Sequence, residues 1–407
     1  GLGEGVRGGQ GGQDRQARGK PSKHGALILI TAAPDIDAST EVCHLDPVYR
    51  PYVPESVCWS HKFDLRTRLS RASAGTGGHG SGGRLSHELI RELFYKYFSN
   101  AVLAGQSDSA LLQIDARNIA FTTDSYVVDP LFFPGGNIGK LAVCGTINDL
   151  AVSGAVPGFL STAFIIEEGL PVADLKIIVE SMADEAEKAH VKIVTGDTKV
   201  VERGKCDKLF INTSGTGIIK PGYEHISTGK RIKPGDKLIV NGSLGNHALA
   251  VLGARNNLNF RIPVESDCAA LNHLIASVLE SGNEISFMRD LTRGGLATVL
   301  NELAVMINMG IFVNESSVPV DDPVRGLCEM LGFDPLYLAN EGKVLFVAGS
   351  DDAQHIVEIL RSDPLGRSAE VIGEILPEMR ARVVLKTSIG GERILDMLSG
   401  TQIPRIC

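Results

Sequence analysis

The feature that most restricts what this chain can fold into is an exchange of hydrophobic period that recurs along its length, from the helical 3.6 to runs of extended, β-branched character. Val172 to Ala189 carries the strongest helical periodicity and feeds directly into Val191–Thr195, which reads as a strand. Around that pair lie an extended run, Ile119–Val128, a helix of small residues, Ile138–Val152, and strands at Phe159–Ile166 and Leu209–Ile219. Residues 220–235 (KPGYEHISTGKRIKPG) are rich in turn formers and mark a boundary. Beyond it the spacing predicts strand Lys237–Val240, helices over 246–255, 267–281 and 296–308, strand Ile311–Val313 and a helix starting near Pro323. Strand Val344–Ala348, helix Ala353–Arg361, strands Val371–Ile375 and Arg382–Leu385, and a final helix Glu392–Leu398 stopping at Gly400 follow. Pro404 keeps the tail TQIPRIC extended.

The pattern predicts an α/β protein with mixed sheets: two units, 77–225 and 236–388, and a flexible tail over 389–407. At 407 residues the chain exceeds one ordinary core, in keeping with two. Residues 1–76 read differently: eight of the first nineteen are Gly and no clean period follows, so a disordered or non-native extension is expected. Within it, Ala26–Ala33 follows Lys20 and Lys23 and resembles the apolar part of a signal peptide, though at eight residues it is short for one.

Charge narrows the partners. Residues 1–76 hold 10 basic and 8 acidic side chains, leaving 30 basic against 40 acidic beyond, a net −10. An acidic body argues against nucleic acid or an anionic membrane, and phosphate would have to be met through metal ions or backbone amides. No apolar run approaches the length needed to span a bilayer. The seven cysteines form no C-x-x-C pair and their number is odd, so neither a zinc site nor a disulfide framework is indicated and a reducing cytoplasm is expected.

Several segments bear chemistry. In Gly75–Gly83 (GTGGHGSGG), ahead of a helix expected over Leu85–Phe98, His79 and Gly80 are candidates for contact with a bound anion. The spacing Gly75-x-Gly77-x-x-Gly80 matches a dinucleotide fingerprint only formally, since no strand precedes it, and a flexible linker is the alternative. Gly135–Lys140 (GGNIGK) is one residue short of a Walker loop and has Leu141 where a hydroxyl is needed. Asp108 (GQSDSA), Asp124 (TTDSYVV), Asp149 (TINDLAVSGA) and Asp197 (VTGDTKV) each sit beside small residues at the edge of an apolar segment. Singly, such a residue serves a turn or cap; together, four carboxylates suit Mg²⁺ shared with the phosphates of a nucleotide. Lys199 lies two residues past Asp197, and Glu341 lies in ANEG before a buried-looking strand; the first is a type that stabilises phosphate charge, the second a base if desolvated, and both are open to a surface ion pair instead. Asp290–Leu296 (DLTRGGL) either faces phosphate or caps the following helix. Cys407, the last residue, presents a thiol expected to be mobile and exposed, with Arg405 favouring its thiolate.

The succession GHGSGG, SDSA, TTDSYVV, NDLAVSGA, TGDTKV, DLTRGGL, ANEG and PRIC over residues 77–407 resembles the HypE family of hydrogenase maturation carbamoyl dehydratases. More broadly it is similar to the superfamily of aminoimidazole ribonucleotide synthetase, selenophosphate synthetase and thiamine-phosphate kinase. The resemblance implies a two-domain PurM-like fold, a homodimer, and ATP with Mg²⁺ held by Asp108, Asp124, Asp149 and Asp197. It implies that a carbamoyltransferase, HypF, loads the sulfur of Cys407, that the carbamoyl group is dehydrated to a thiocyanate, and that HypC and HypD receive the cyano group for a nickel-iron hydrogenase. Lys199 would stabilise charge on the reacting oxygen and Glu341 would take the N–H protons. The alternatives are a non-catalytic dimeric carrier of a modified thiol, or another ATP-dependent synthetase or kinase of the superfamily.

Overall fold

The computed structural model describes Arg84, His87 and residues 110–114, 117–256, 264–398, 403 and 405–407. The readings made for residues 1–76, for His79, Gly80 and Asp108, and for the helix over 85–98 except at His87, lie outside the described residues.

The first unit runs β1 (Ala110–Ile114), β2 (Arg117–Tyr126), a hairpin of β3 (Phe132–Phe133) and β4 (Gly136–Asn137), α1 (Ile138–Val152), β5 (Ala155–Glu167), α2 (Val172–Lys188), β6 (Lys192–Val201) and β7 (Leu209–Ile219). Its sheet has the order β1-β2-β7-β5-β6, antiparallel except for β5 against β6. Helix α1 begins where Asn137 accepts the Gly139 and Lys140 amides at 2.8 and 3.1 Å, an N-cap that satisfies two orphan donors. Nearly all of α1 is buried, because the sheet, α2 and the second unit surround it. Glycine permits this: a Cβ on Gly139 would meet the Ile178 carbonyl, and one on Gly145 the Tyr126 hydroxyl.

The second unit runs β8 (Lys237–Val240), α3 (Asn246–Arg255), α4 (Asn272–Glu280), β9 (Ile285–Asp290), α5 (Gly295–Ile307), β10 (Gly310–Asn314), α6 (Asp322–Leu331), β11 (Val344–Ala348), α7 (Ala353–Arg361), β12 (Glu370–Leu376), β13 (Arg382–Lys386) and β14 (Glu392–Ile394). Its seven-stranded sheet has the order β14-β13-β10-β12-β8-β11-β9. The fold is therefore the mixed α/β pair of units read from periodicity.

Strand β1 and the β3–β4 hairpin are not marked by the sequence pattern, β6 extends beyond Thr195 to Val201, and three further departures have a clear physical cause. The final helix over Glu392–Leu398 is instead β14, paired with β13 so that Ile394 opposes Val384 and Glu392 opposes Lys386. Seven residues make a marginal helix, whereas the open sheet edge offers backbone partners at once, and Gly390 at φ +90° allows the hairpin turn. Strand β9 (ISFMRD) has no strand signal in the sequence because all six residues are buried, which removes the alternation that marks a half-exposed strand. Helix α4 starts at Asn272 rather than 267, since residues 266–269 bond to the segment around Glu341 and to Asn148 instead.

One face of the five-stranded sheet packs on α1 and α2. The other carries Phe121, Phe159, Ile165 and Ile218, each between 41% and 54% exposed. Apolar residues gathered on one exposed sheet face make a candidate contact surface.

Candidate active site

Strand geometry and one helix assemble the first half of the site. On β2 the residues Thr122, Asp124 and Tyr126 alternate onto the face that packs on α1, and Asp149 projects from α1 to meet them. The Thr122 hydroxyl donates to Asp149 Oδ2 at 2.7 Å, and the Tyr126 hydroxyl donates to Asp124 Oδ2 at 3.3 Å. Burial, and then the charge of Asp124, push the Tyr126 phenol well above its ordinary value, so it stays a donor.

The second unit supplies the other half. Glu341 is only 3% exposed, and its Oε1 has no hydrogen-bond partner. Burial lifts its carboxyl well above the usual range, followed by Cys268, Asp290 and Asp267, with Arg293 opposing. Its backbone is clamped: the Glu341 and Gly342 amides donate to the two oxygens of Asp267 at 3.2 and 3.3 Å, and Lys343 Nζ reaches Asp267 Oδ2 at 3.0 Å. From α1, Asn148 donates to the Ala269 and Glu341 carbonyls at 3.0 and 3.3 Å. Arg293 enters from the turn between β9 and α5, where Gly294 and Gly295 hold φ of +78° and +59°, a conformation that favours glycine. Of its two readings, the arginine faces the pocket.

Cys407 closes the arrangement. A cavity of about 40 Å³ is lined by Asp124, Tyr126, Asp149, Arg293, Glu341 and Cys407, among others. The thiol expected to be exposed is thus seated, and burial pushes it up to about 12, Arg293 lowering it while Glu341 and Asp124 raise it. Arg405 does not face the sulfur; it bonds the Val127 carbonyl and Asp207, and Arg293 is the cation beside the thiol.

Four sequence candidates therefore meet: Asp124, Asp149, Glu341 and Cys407. Asp197 and Lys199 do not join them within one chain. Register pairs Asp197 with Ala163, Ala163 with Asn212, and Asn212 with Ser125, which puts Asp197 on the open face of the sheet, opposite Asp124 and three strand spacings, about 14 Å, away. Asp197 and Lys199 form an exposed ion pair at 2.6 Å, and the ammonium holds the Asp197 carboxyl below its ordinary value. Among the described residues no group of three or more His, Cys, Asp or Glu is preassembled for a metal. The oxygen-only donors Asp124 and Asp149, beside the unpartnered Glu341 oxygen, nevertheless fit a hard cation such as Mg²⁺.

Residues 106–219 match the family model "AIR synthase related protein, N-terminal domain", and residues 233–386 match the corresponding C-terminal domain. The chain is 51% identical over 335 residues to the carbamoyl dehydratase HypE of Rhodobacter capsulatus, covering 82% of this chain and 98% of that protein. A solved HypE–HypF complex aligns with TM-score 0.71 and 49% identity over 76% of this chain and 99% of that one. HypE in complex with ATP aligns with TM-score 0.69 and 46% identity, covering 81% and 98%.

Proposed function

The chain belongs to the HypE carbamoyl dehydratases of the AIR synthase-related family, and from that premise we propose that it converts an S-carbamoyl group on Cys407 into a thiocyanate, using ATP. The observation that carries the reading is the seating of the Cys407 sulfur among Asp124, Asp149, Arg293 and the unpartnered buried Glu341. In balance, Cys407–S–C(=O)NH₂ and ATP become Cys407–S–C≡N, ADP and phosphate. The carbon–oxygen bond breaks with the departing phosphate, and both nitrogen protons leave, one ending on phosphate and one in solvent. Bound ATP with Mg²⁺ supplies the phosphoryl group that makes the carbamoyl oxygen a leaving group. Asp124 and Asp149 would hold the Mg²⁺, with Asp108 as a further candidate. Arg293 balances negative charge next to the sulfur, Glu341 accepts the nitrogen protons, and the enclosure limits hydrolysis of the activated group.

HypF is the carbamoyltransferase that loads the thiol in this reading, in line with the complex of the similar protein; HypC and HypD take the cyano group for a nickel-iron hydrogenase. In this reading the reaction takes place in the cytoplasm, where cysteines, free at every described position, stay reduced. Among the described residues no helix is long and apolar enough to cross a membrane. A second copy of the chain covers the open sheet face, and Asp197 and Lys199 on that face then act at the edge of a site completed between copies. Phe159→Asp is expected to turn a dimer into a monomer by sedimentation; a variant still dimeric would remove this interface.

Mass spectrometry of the C-terminal peptide tests the reaction. Carbamoylated protein given Mg-ATP should lose the mass of one water, whereas no change would favour a carrier. The pH profile tests Glu341. A base must be ionised, and its carboxyl is raised, so the rate should climb through a pH range above the ordinary carboxylate value and fall as acid protonates it. Glu341→Gln should slow conversion by about 100-fold and flatten that limb.

A further inference from the structure

Helix α3 lies beside the pocket without lining it, and its polar residues hold the tail. His247 is fully buried, one residue past Gly245–Asn246 at the start of α3, and its ring stands edge-on to Phe133 with centroids 5.4 Å apart. Its Nε2 lies 2.8 Å from the Ile406 carbonyl and its Nδ1 2.8 Å from Ser266 Oγ. A carbonyl only accepts, so Nε2 carries the proton, and in the neutral ring Nδ1 accepts from the Ser266 hydroxyl. Ser266 Oγ in turn accepts the Cys268 amide at 3.1 Å, which fixes its orientation. About two turns along the same helix, Arg255 donates Nη2 to the Arg405 carbonyl at 2.6 Å and Nε to the Asp129 carbonyl at 2.7 Å. The Val127 amide donates to a main-chain carboxylate oxygen of Cys407 at 3.1 Å.

The main-chain oxygens of the last three residues therefore each receive a donor, and they do so while Arg405 sits at φ +52°, a conformation unfavourable for a residue with a Cβ. The Ile406 side chain is 6% exposed, packed in the cluster that contains Ala248, Leu249 and Val251 of α3. This is a built site for the last three residues, with the histidine at its middle.

We propose that His247 is a positioning residue for the dehydration step: by donating to the Ile406 carbonyl it seats the tail so that the Cys407 sulfur lies between Arg293 and Glu341. His247 does not line the pocket that holds the sulfur, and loading does not use it, because the thiol reacts when the tail is out of this seat. The catalytic consequence rests on the dehydratase reading above; the seating itself does not.

Two substitutions separate the hydrogen bond from mere packing. His247→Phe keeps a ring against Phe133 but leaves the buried Ile406 carbonyl without a donor, whereas His247→Gln keeps an N–H close to the Nε2 position. The first readout is alkylation of Cys407 by iodoacetamide at fixed pH in the unloaded protein, followed on the peptide released after Lys386. The second is single-turnover loss of water from protein already carbamoylated. His247→Phe is expected to alkylate about tenfold faster and dehydrate about tenfold more slowly, with loading unimpaired, and His247→Gln should stay within about threefold of the parent in both. Equal alkylation of His247→Phe and the parent overturns the proposal, as does a His247→Gln as impaired as the phenylalanine variant. A parent protein that alkylates slowly but never loses water would instead overturn the reaction and leave the seat standing.

Discussion

Asp149→Asn should accept a carbamoyl group on Cys407 from HypF and then leave it there, with ATP turnover down by roughly 10³-fold. The substitution removes one negative charge and little else. Asn has nearly the same volume, and its side-chain oxygen can still accept the Thr122 hydroxyl that now meets Asp149 Oδ2 at 2.7 Å, so α1 keeps its place between the sheet and the second unit. What is lost is a hard anionic oxygen beside Asp124, and Mg²⁺ binds neutral amides less well than carboxylates. Mass spectrometry of the C-terminal peptide should show the carbamoyl adduct persisting under Mg-ATP, while thermal melting stays near that of the parent. An Asp149→Asn protein that converts its adduct at the parental rate would remove this carboxylate from the metal-nucleotide site.

Cys407→Ser should abolish loading altogether, so the adduct never appears even with an excess of the carbamoyltransferase. The thiolate is the nucleophile in group transfer to cysteine, and a serine hydroxyl ionises far too weakly at neutral pH to replace it. The seat sharpens the point. Burial pushes the seated thiol up to about 12, so only a tail lifted from the pocket, with its sulfur in water and its ionisation nearer the ordinary value, has appreciable thiolate. Once loaded, the sulfur no longer titrates, and desolvation favours its return. A Cys407→Ser protein that still gained the carbamoyl mass would relocate the carrier atom and with it the whole assignment.

Much of the fold was legible because local signals agreed with one another. Helix Ile138–Val152 was read at its observed limits, since Asn137 is a good N-cap ahead of an unbroken small apolar run. Strands Lys237–Val240 and Leu209–Ile219 and helices Asn246–Arg255 and Ala353–Arg361 likewise stand where periodicity put them. The errors fell where tertiary surroundings outweighed local preference: the sheet edge that turned Glu392–Ile394 into a strand, and the enclosure that hid β9. The site was legible in residue type more than in arrangement. Asp124, Asp149, Glu341 and Cys407 were singled out and do meet. His247 carries no such signal, because nothing local distinguishes a core histidine from one whose Nε2 meets a carbonyl 159 residues away.

The sequence by itself determined which residues are able to do chemistry and the local elements that carry them, because propensity, capping and hydrophobic period act over a few neighbouring positions. Only the tertiary structure decided which of those residues meet. Strand register put Asp197 and Lys199 on one face of the sheet and Asp124 on the other, and a one-residue change in pairing would have reversed that. Burial raised the Glu341 carboxyl well above the usual range, and chain reversal brought the last residue back beside residues 124, 149 and 293. These outcomes depend on desolvation and on contacts between positions far apart in the chain, quantities that exist only once the chain has folded.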